Sequence, residues 1–366
     1  MGMYNLRNID IDCISNGSPH SGIFLKTIEF LDSINDTTVF DTAKVIYSAN
    51  TYCHVLQLLK QKFTISDYVD VLEKNLDLLM RNVLHQKVYV NMLSKQKKFK
   101  NPKNIYNQTK YHYSEMFNSI DDNDFFEIAP KNFIDLLKIN DCRTSYNKNM
   151  TALDAGCGSG CYTYALWLMG FGNVCGIDFC RQNISAAKNR IIKKNIDNIH
   201  FQVADVKNIP FDDCSFDFVL SNGVLHHVNA EYDFTLAEIY RVLKNGGRSY
   251  LYVMEKPGGI LLDTIELLRH TLRYVFEKTT LKILKLLGFR GYSIYNILDH
   301  IYVPINKRET KYQMEKYLRN TGFSDLKRFN RGLPNYNVEL LYKNGNDPEN
   351  IWKYGVGENI YIFRKL

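Results

Sequence analysis

Four side chains stand out for the chemistry they could perform. Asp154, Asp178, Asp205 and His226 each lie at or just beyond the end of a short apolar run. The first belongs to LDAGCGSG, residues 153–160, where Gly156, Gly158 and Gly160 occupy alternate positions. Glycine admits positive φ and lets a neighbouring group come close to the backbone, so this loop is expected to hold a ligand tightly. A carboxylate at Asp154 would repel a pyrophosphate and attract a cationic amino-acid moiety. The dinucleotide fingerprint is GxGxxG or GxGxxA; here the spacing is GxGxG, and Cys161 stands where the third small residue would be. Asp178 and Asp205 are further carboxylates at strand ends, each able to accept hydrogen bonds. The competing reading makes Asp154 a helix cap and the other two turn residues. His226, followed by His227, is the candidate proton acceptor; the alternative is a histidine that bonds a neighbouring loop.

The elements that must position these groups follow from the pattern around them. ALDA, NVCGIDF (173–179), IHFQVAD (199–205), FDFVLSN (216–222) and SYLYVM (249–254) read as strands. Between them CYTYALWLM, RQNISAAKNRIIKK (181–194) and DFTLAEIYRVLK (233–244) read as helices. Such alternation predicts an α/β, doubly wound, mostly parallel sheet with helices on both faces, and ligands of such sheets sit at the carboxyl ends of the strands. After Gly259 the alternation stops. Residues 260–289 read as an amphipathic helical insertion, 308–322 as the last helix, and about 325–331 and 358–364 as late strands. Earlier, 50–61 and 66–93 read as helices, TTVFDTAKVIYS (37–48) as a strand pair, and the lysine-rich 94–104 as a linker. The expected domains are therefore 1–105, mainly helical and accessory, and 106–366 with a helical insertion at about 258–305.

In order, LDAGCGSG, GIDFC, VADVKNIPF, FDFVLSNGVLHHV and RVLKNGGRSYLYV resemble the motifs of the class I S-adenosylmethionine-dependent methyltransferases over roughly residues 110–255. The resemblance implies a seven-stranded Rossmann-like sheet ending in an antiparallel strand, with S-adenosylmethionine as cofactor. It implies a cofactor site of Asp154, Gly156, Cys157, Gly158 and Gly160, with Asp178 and Phe179 at the ribose. Asp205 and Val206 would lie at the adenine and Asn222 beside the reacting methyl. Tyr111, near Tyr113 and Phe117, resembles the aromatic segment that closes over the cofactor in many members; aromatics packed in the core are the other reading. His226 matches a catalytic histidine of many small-molecule O-methyltransferases. The loop Ser221-Asn222-Gly223-Val224 lacks the [DN]PP[YFW] grip of nucleic-acid amino-methyltransferases and the Pro–Cys of cytosine-C5 enzymes.

Composition narrows the remaining choices. The 366 residues are 45% hydrophobic, without an apolar run long enough to cross a membrane or a secretory leader. Eight cysteines without a CxxC pair are expected as reduced, mostly buried thiols in a cytoplasmic protein, with no metal site. Cys157, Cys161 and Cys214 do not reproduce the thiol pattern of arsenite methyltransferases. The net charge is +7, and from Arg241 onward there are 22 Lys+Arg against 12 Asp+Glu. The insertion carries Arg269, Arg273, Lys278, Lys282, Lys285 and Arg290, read either as an acceptor lid or as a solvated basic face. The function expected is methyl transfer to a small metabolite or lipid-like acceptor. RNA methylation through the basic third is the second reading, and a non-catalytic S-adenosylmethionine-binding sensor or scaffold the third. A homodimer through the first domain is a further expectation.

Overall fold

A computed structural model describes residues 19–34, 40–90, 122–142, 146–228, 232–289, 292–330, 348–356 and 359–366. Tyr111, Tyr113, Phe117 and the 94–104 linker lie outside the described residues. The chain divides into two compact units. One gathers the segments up to Gln108, from Pro257 to Pro304 and from Asn344 to Val356; the other holds the rest. This differs from a single division near residue 105, since the insertion folds with the N-terminal helices.

The second unit is the α/β unit. Its strands are β1 (Thr151–Ala155), β2 (Asn173–Asp178), β3 (Ile199–Val203), β4 (Phe216–Asn222), β5 (Leu243–Val253), β6 (Phe323–Arg328) and β7 (Asn359–Lys365). They form one sheet in the order β3-β2-β1-β4-β5-β7-β6. The first five strands are parallel, and β7 runs antiparallel to both β5 and β6. Strand order reverses between β1 and β4, which is where a crevice opens at the carboxyl ends of a doubly wound sheet.

Side chains alternate across a strand, and the two cores follow that period. Ala152, Phe218, Leu220 and Tyr250 join one core with Phe133, Leu166, Ile184 and Ala187. Leu153, Val219, Leu251 and Val253 join the other with Leu236, Ile239, Met314 and Leu318. Both faces are thus covered, as a parallel sheet requires.

The helices of the first unit are Ser21–Asp32, Asp41–Leu58, Ile65–Val90, Gly259–Thr271, Glu277–Leu286, Tyr292–Tyr302 and Pro348–Tyr354. Two sequence expectations are corrected here. Residues 41–48 are helical, not paired strands. Their β-branched and aromatic residues look strand-like, but Ala43, Val45, Tyr47, Ala49, Thr51 and Tyr52 are buried on nearly every side of the helix, so no polar face marks the helical period. The insertion is likewise three helices, and every residue named in its first helix except Leu261 is buried. Arg269 is therefore not part of a solvated face. It is fully buried beside Glu266, 3.5 Å away, and donates to the carbonyls of His300 and Val303.

Candidate functional site

The glycine loop leaves β1 at Ala155 and enters a helix, Cys161–Leu168, at Gly160. All three glycines have positive φ: 88° at Gly156, 50° at Gly158 and 89° at Gly160. Two of them also face protein. A methyl group on Gly156 would collide with Val224, and one on Gly160 would meet the Phe201 ring and Ala187. The close approach inferred for a ligand is thus shared with the chain itself. The loop is stitched to β2, because the N–H groups of Gly156 and Cys157 both donate to the Ile177 carbonyl at 2.8 Å.

Asp178, at the end of β2, ties this assembly together. Its carboxylate accepts from the Gly158 N–H at 3.0 Å, the Cys180 N–H at 2.8 Å and the Asn183 side-chain amide at 3.3 Å. Asp154, at the end of β1, accepts from the Thr163 hydroxyl at 2.7 Å and is 2% exposed. Burial first, and then the charge of Asp178, push the Asp154 carboxyl up to about 7. A cation brought to it would restore the ionised form. Phe179 is half-buried next to Asp178, and Val206 is buried in the core that includes Ile209 and Ile177. Asp205 is half-buried beyond β3 and accepts from the Lys207 N–H at 2.9 Å, holding a tight turn. The turn roles weighed for Asp178 and Asp205 are therefore present as well, each accepting from the backbone N–H two residues on. Burial also raises the thiols of Cys157 and Cys161, the latter to about 12, so both stay protonated.

On the other side of the switch point, β4 ends at Asn222, and Gly223 donates to the Tyr252 carbonyl at 3.3 Å. A short turn of helix, Leu225–His227, follows. His226 is buried, and its Nδ1 accepts the Met254 N–H at 3.4 Å. A neutral imidazole that accepts at Nδ1 carries its proton at Nε2. The His226 carbonyl accepts from the Lys307 N–H at 2.9 Å, and the His227 Nδ1 lies 2.7 Å from the Ile305 carbonyl. Sequence reading did not anticipate Thr163, Asn183, Val224, Glu255 or the 305–309 segment as parts of this region. Thr163 and Asn183 sit in the first turns of the helices after β1 and β2, which is the one local signal that marks them.

The acids at successive strand ends, the glycine loop between β1 and its helix, and the seven-stranded order fit S-adenosylmethionine by donor chemistry. The acids suit its cationic, hydroxylated and amine groups. Residues 153–251 match the methyltransferase domain family. This is a class I S-adenosylmethionine-dependent methyltransferase domain. Its methyl donor is S-adenosylmethionine.

Among curated relatives, the methyltransferase is 27% identical over 186 residues to a demethylmenaquinone methyltransferase of Geobacillus sp., covering 50% of this chain and 75% of that protein. It is 39% identical over 98 residues to a demethylmenaquinone methyltransferase of Staphylococcus haemolyticus, covering 26% of this chain and 40% of the relative. An arsenite methyltransferase of Halobacterium salinarum is 33% identical over 100 residues, covering 27% of this chain and 25% of the relative. The match to the last two thus spans less than half of either relative's length.

Proposed function

We propose that this chain transfers a methyl group from S-adenosylmethionine to a small metabolite or lipid-like acceptor bound at the carboxyl ends of β4 and β5. The observation that carries this reading is the wall of that crevice. At those strand ends Gly223 donates to the Tyr252 carbonyl, and the Tyr252 ring lies 5.8 Å from that of the buried His226. When bound, S-adenosylmethionine supplies an electrophilic methyl on a sulfonium. Asp154 would pair with its ammonium, Asp178 would accept from the ribose hydroxyls, and Asp205 would accept from the adenine amine. Phe179, Val206 and Asn222 would line the same site. With its proton at Nε2, His226 would donate a hydrogen bond to the acceptor and help orient it for in-line attack.

Support for a small acceptor comes from the relatives named for demethylmenaquinone and from the use of basic residues inside the fold. Arg269 is buried against Glu266 and backbone carbonyls, and Arg241 pairs with Glu238 at 2.7 Å and Asp213 at 2.9 Å. Those cations are engaged by the protein and do not add to an RNA-facing patch. The neutral thiols of buried Cys157 and half-buried Cys161 also suit core packing better than metalloid capture. Among the described residues no helix is long and apolar enough to cross a membrane. An accessory role for the helical unit, including pairing of two copies through it, belongs to the same proposal and is read by sedimentation of the full chain.

The test is incubation of the purified chain with methyl-labelled S-adenosylmethionine and a cell extract. Label in the solvent-extractable or low-molecular-weight fraction is the expected result. Label in nuclease-sensitive material would transfer the assignment to RNA. No turnover, with tight S-adenosylhomocysteine binding, would leave a sensor.

A further inference from the structure

A second polar cluster begins two residues beyond the end of β5. β5 closes at Val253, and the chain continues through Met254 to Glu255. There the segment 305–309 runs alongside it as a short parallel extension. The Glu309 N–H donates to the Met254 carbonyl, and the Lys256 N–H donates to the Glu309 carbonyl, both at 2.9 Å. The Asn359 amide also donates to that Glu309 carbonyl, at 2.6 Å. The same segment donates from Lys307 to the His226 carbonyl, so it joins the ends of β4 and β5.

Three buried polar side chains collect on this extension: Glu255 at 7% exposure, Asn306 at 5% and Arg308 at 4%. Their hydrogen bonding is unusual for a core. The Glu255 Oε2 and both side-chain atoms of Asn306 have no hydrogen-bond partner among the described residues. Buried polar groups are nearly always paired, and leaving one unpaired costs about 1–3 kcal/mol. Three such atoms beside the carboxyl end of β5 are accounted for if a ligand supplies the partners. The nearby carboxylate, Glu309, is already engaged by Lys307 at 2.6 Å.

Resting on the small-acceptor reading above, we propose that Glu255, Asn306 and Arg308 form the recognition site for an acceptor bearing an enolic or phenolic hydroxyl next to a carbonyl oxygen, and that the Glu255 carboxylate takes the hydroxyl proton. Asn306 and Arg308 donate to the carbonyl oxygen, while Glu255 Oε2 accepts from the hydroxyl. As the acceptor oxygen attacks, the O–CH3 bond forms and the S–CH3 bond breaks. The electron pair of the broken bond stays on sulfur, the hydroxyl proton passes to Glu255, and the products are the methyl ether and S-adenosylhomocysteine. Glu255 returns the proton to solvent when the product leaves. His226 cannot take this proton in the tautomer that its Met254 contact selects.

The electrostatics agree with this division of labour. Burial pushes the Glu255 carboxyl up to about 7, against the opposing pull of Arg308 and Arg328. With Glu309 neutralised by Lys307, these two guanidiniums are the charges that govern Glu255. A carboxyl with that value is a competent base near neutral pH.

The experiment uses the full chain, methyl-labelled S-adenosylmethionine and the solvent-extracted small-molecule fraction of a cell lysate as the acceptor source. Turnover by the unmodified protein is expected to rise about tenfold per pH unit below about 7 and to level off above it. Glu255→Gln should lower turnover about 100-fold or more, with S-adenosylhomocysteine affinity by calorimetry within about twofold of the parent; Glu255→Asp should recover part of the loss. A readout independent of turnover is the 13C spectrum of glutamate-labelled protein. A carboxyl resonance titrating near 7 should be present in the parent and missing in Glu255→Gln. A Glu255→Gln protein with parental turnover and pH profile overturns the proposal. So does loss of S-adenosylhomocysteine binding or of thermal stability in both variants, which would make Glu255 structural. If the unmodified protein labels nothing in this fraction, the small-acceptor reading falls and takes this proposal with it, whatever Glu255 does.

Discussion

The two compact units bury polar groups in opposite ways. In the α/β unit the buried acids sit at or just past strand ends or on the segment that bridges one: Asp154 and Asp178 at the ends of β1 and β2, Glu255 past β5, and Glu309 paired with Glu255. In the helical unit the buried polar groups sit on the helices themselves, in their end turns as well as between them. Lys44, Asp263, Glu266, Arg269 and His270 are all buried, and the His20 ring lies 3.1 Å from the Asp263 carboxylate. A strand end is next to a loop, so a buried acid there can meet a ligand. A charge buried on a helix has only protein around it, and its partner comes from the same helix, as Glu266 does for Arg269, or from another segment, as His20 does for Asp263. The first arrangement is the one the proposed binding site would use. The second serves the specific docking of helices, and its members are costly to separate.

Each prediction below tests that contrast, beginning with the largest expected effect. Replacing Arg269 with Ala leaves Glu266 buried without its cation and the carbonyls of His300 and Val303 without their donor. Breaking a buried pair costs about 3–5 kcal/mol, read by urea denaturation of the full chain, and a further Glu266→Leu change should return part of it. A loss below about 1 kcal/mol would mean that the helical unit does not depend on its internal charges. At the strand ends, Asp178→Ala should act on binding. Losing a charged acceptor costs about 1.5–3 kcal/mol, so S-adenosylhomocysteine affinity by calorimetry should fall between about 10-fold and 100-fold. Unchanged affinity would remove the ribose role.

Gly156→Ala tests how much of the loop's glycine requirement comes from the protein. The residue is at φ 88°, and its new methyl would strike Val224. Destabilisation of about 1–3 kcal/mol is expected from strain and overpacking together. The double change Gly156→Ala with Val224→Ala should recover the packing share and not the strain. Full recovery would show that the backbone conformation costs nothing. The smallest effect expected is on pH dependence. With its carboxyl raised to about 7, Asp154 is mostly neutral at pH 6 and mostly ionised at pH 8. Pairing with an ammonium favours the ionised form, so S-adenosylhomocysteine affinity should rise by up to about tenfold over that range, equivalent to about 1.4 kcal/mol. Asp154→Asn should flatten the profile; a profile that stays steep would assign the titration elsewhere.

Legibility in the sequence followed the same divide. The glycine loop, Asp178 and Asp205 could be read because each lies in a short contiguous motif beside an apolar run, and local geometry is what such motifs encode. Glu255 carried no such signal. It is a lone acid after a strand, and it becomes part of a cluster only because the chain returns at 305–309, some fifty residues later. Arg269 was misread for a related reason. A basic residue on a leucine-rich helix resembles a solvated face until the helix is seen to be surrounded. The 41–48 helix was hidden because complete burial removes the polar face by which a helical period is recognised.

By itself, then, the sequence determined the order of strands and helices in the α/β unit, the loop conformation that glycine permits and the acids at the strand ends. All of these depend on residues within a few positions of one another. Only the tertiary structure decided that the insertion after β5 folds with the N-terminal helices, that Gly156 is held by Val224 as well as by its own φ, and that the chain returns at Lys307 and Glu309 to bond the His226 and Met254 carbonyls. Those outcomes depend on burial and on contacts between distant segments. Burial changes what a residue costs and can do without changing anything in its sequence neighbourhood.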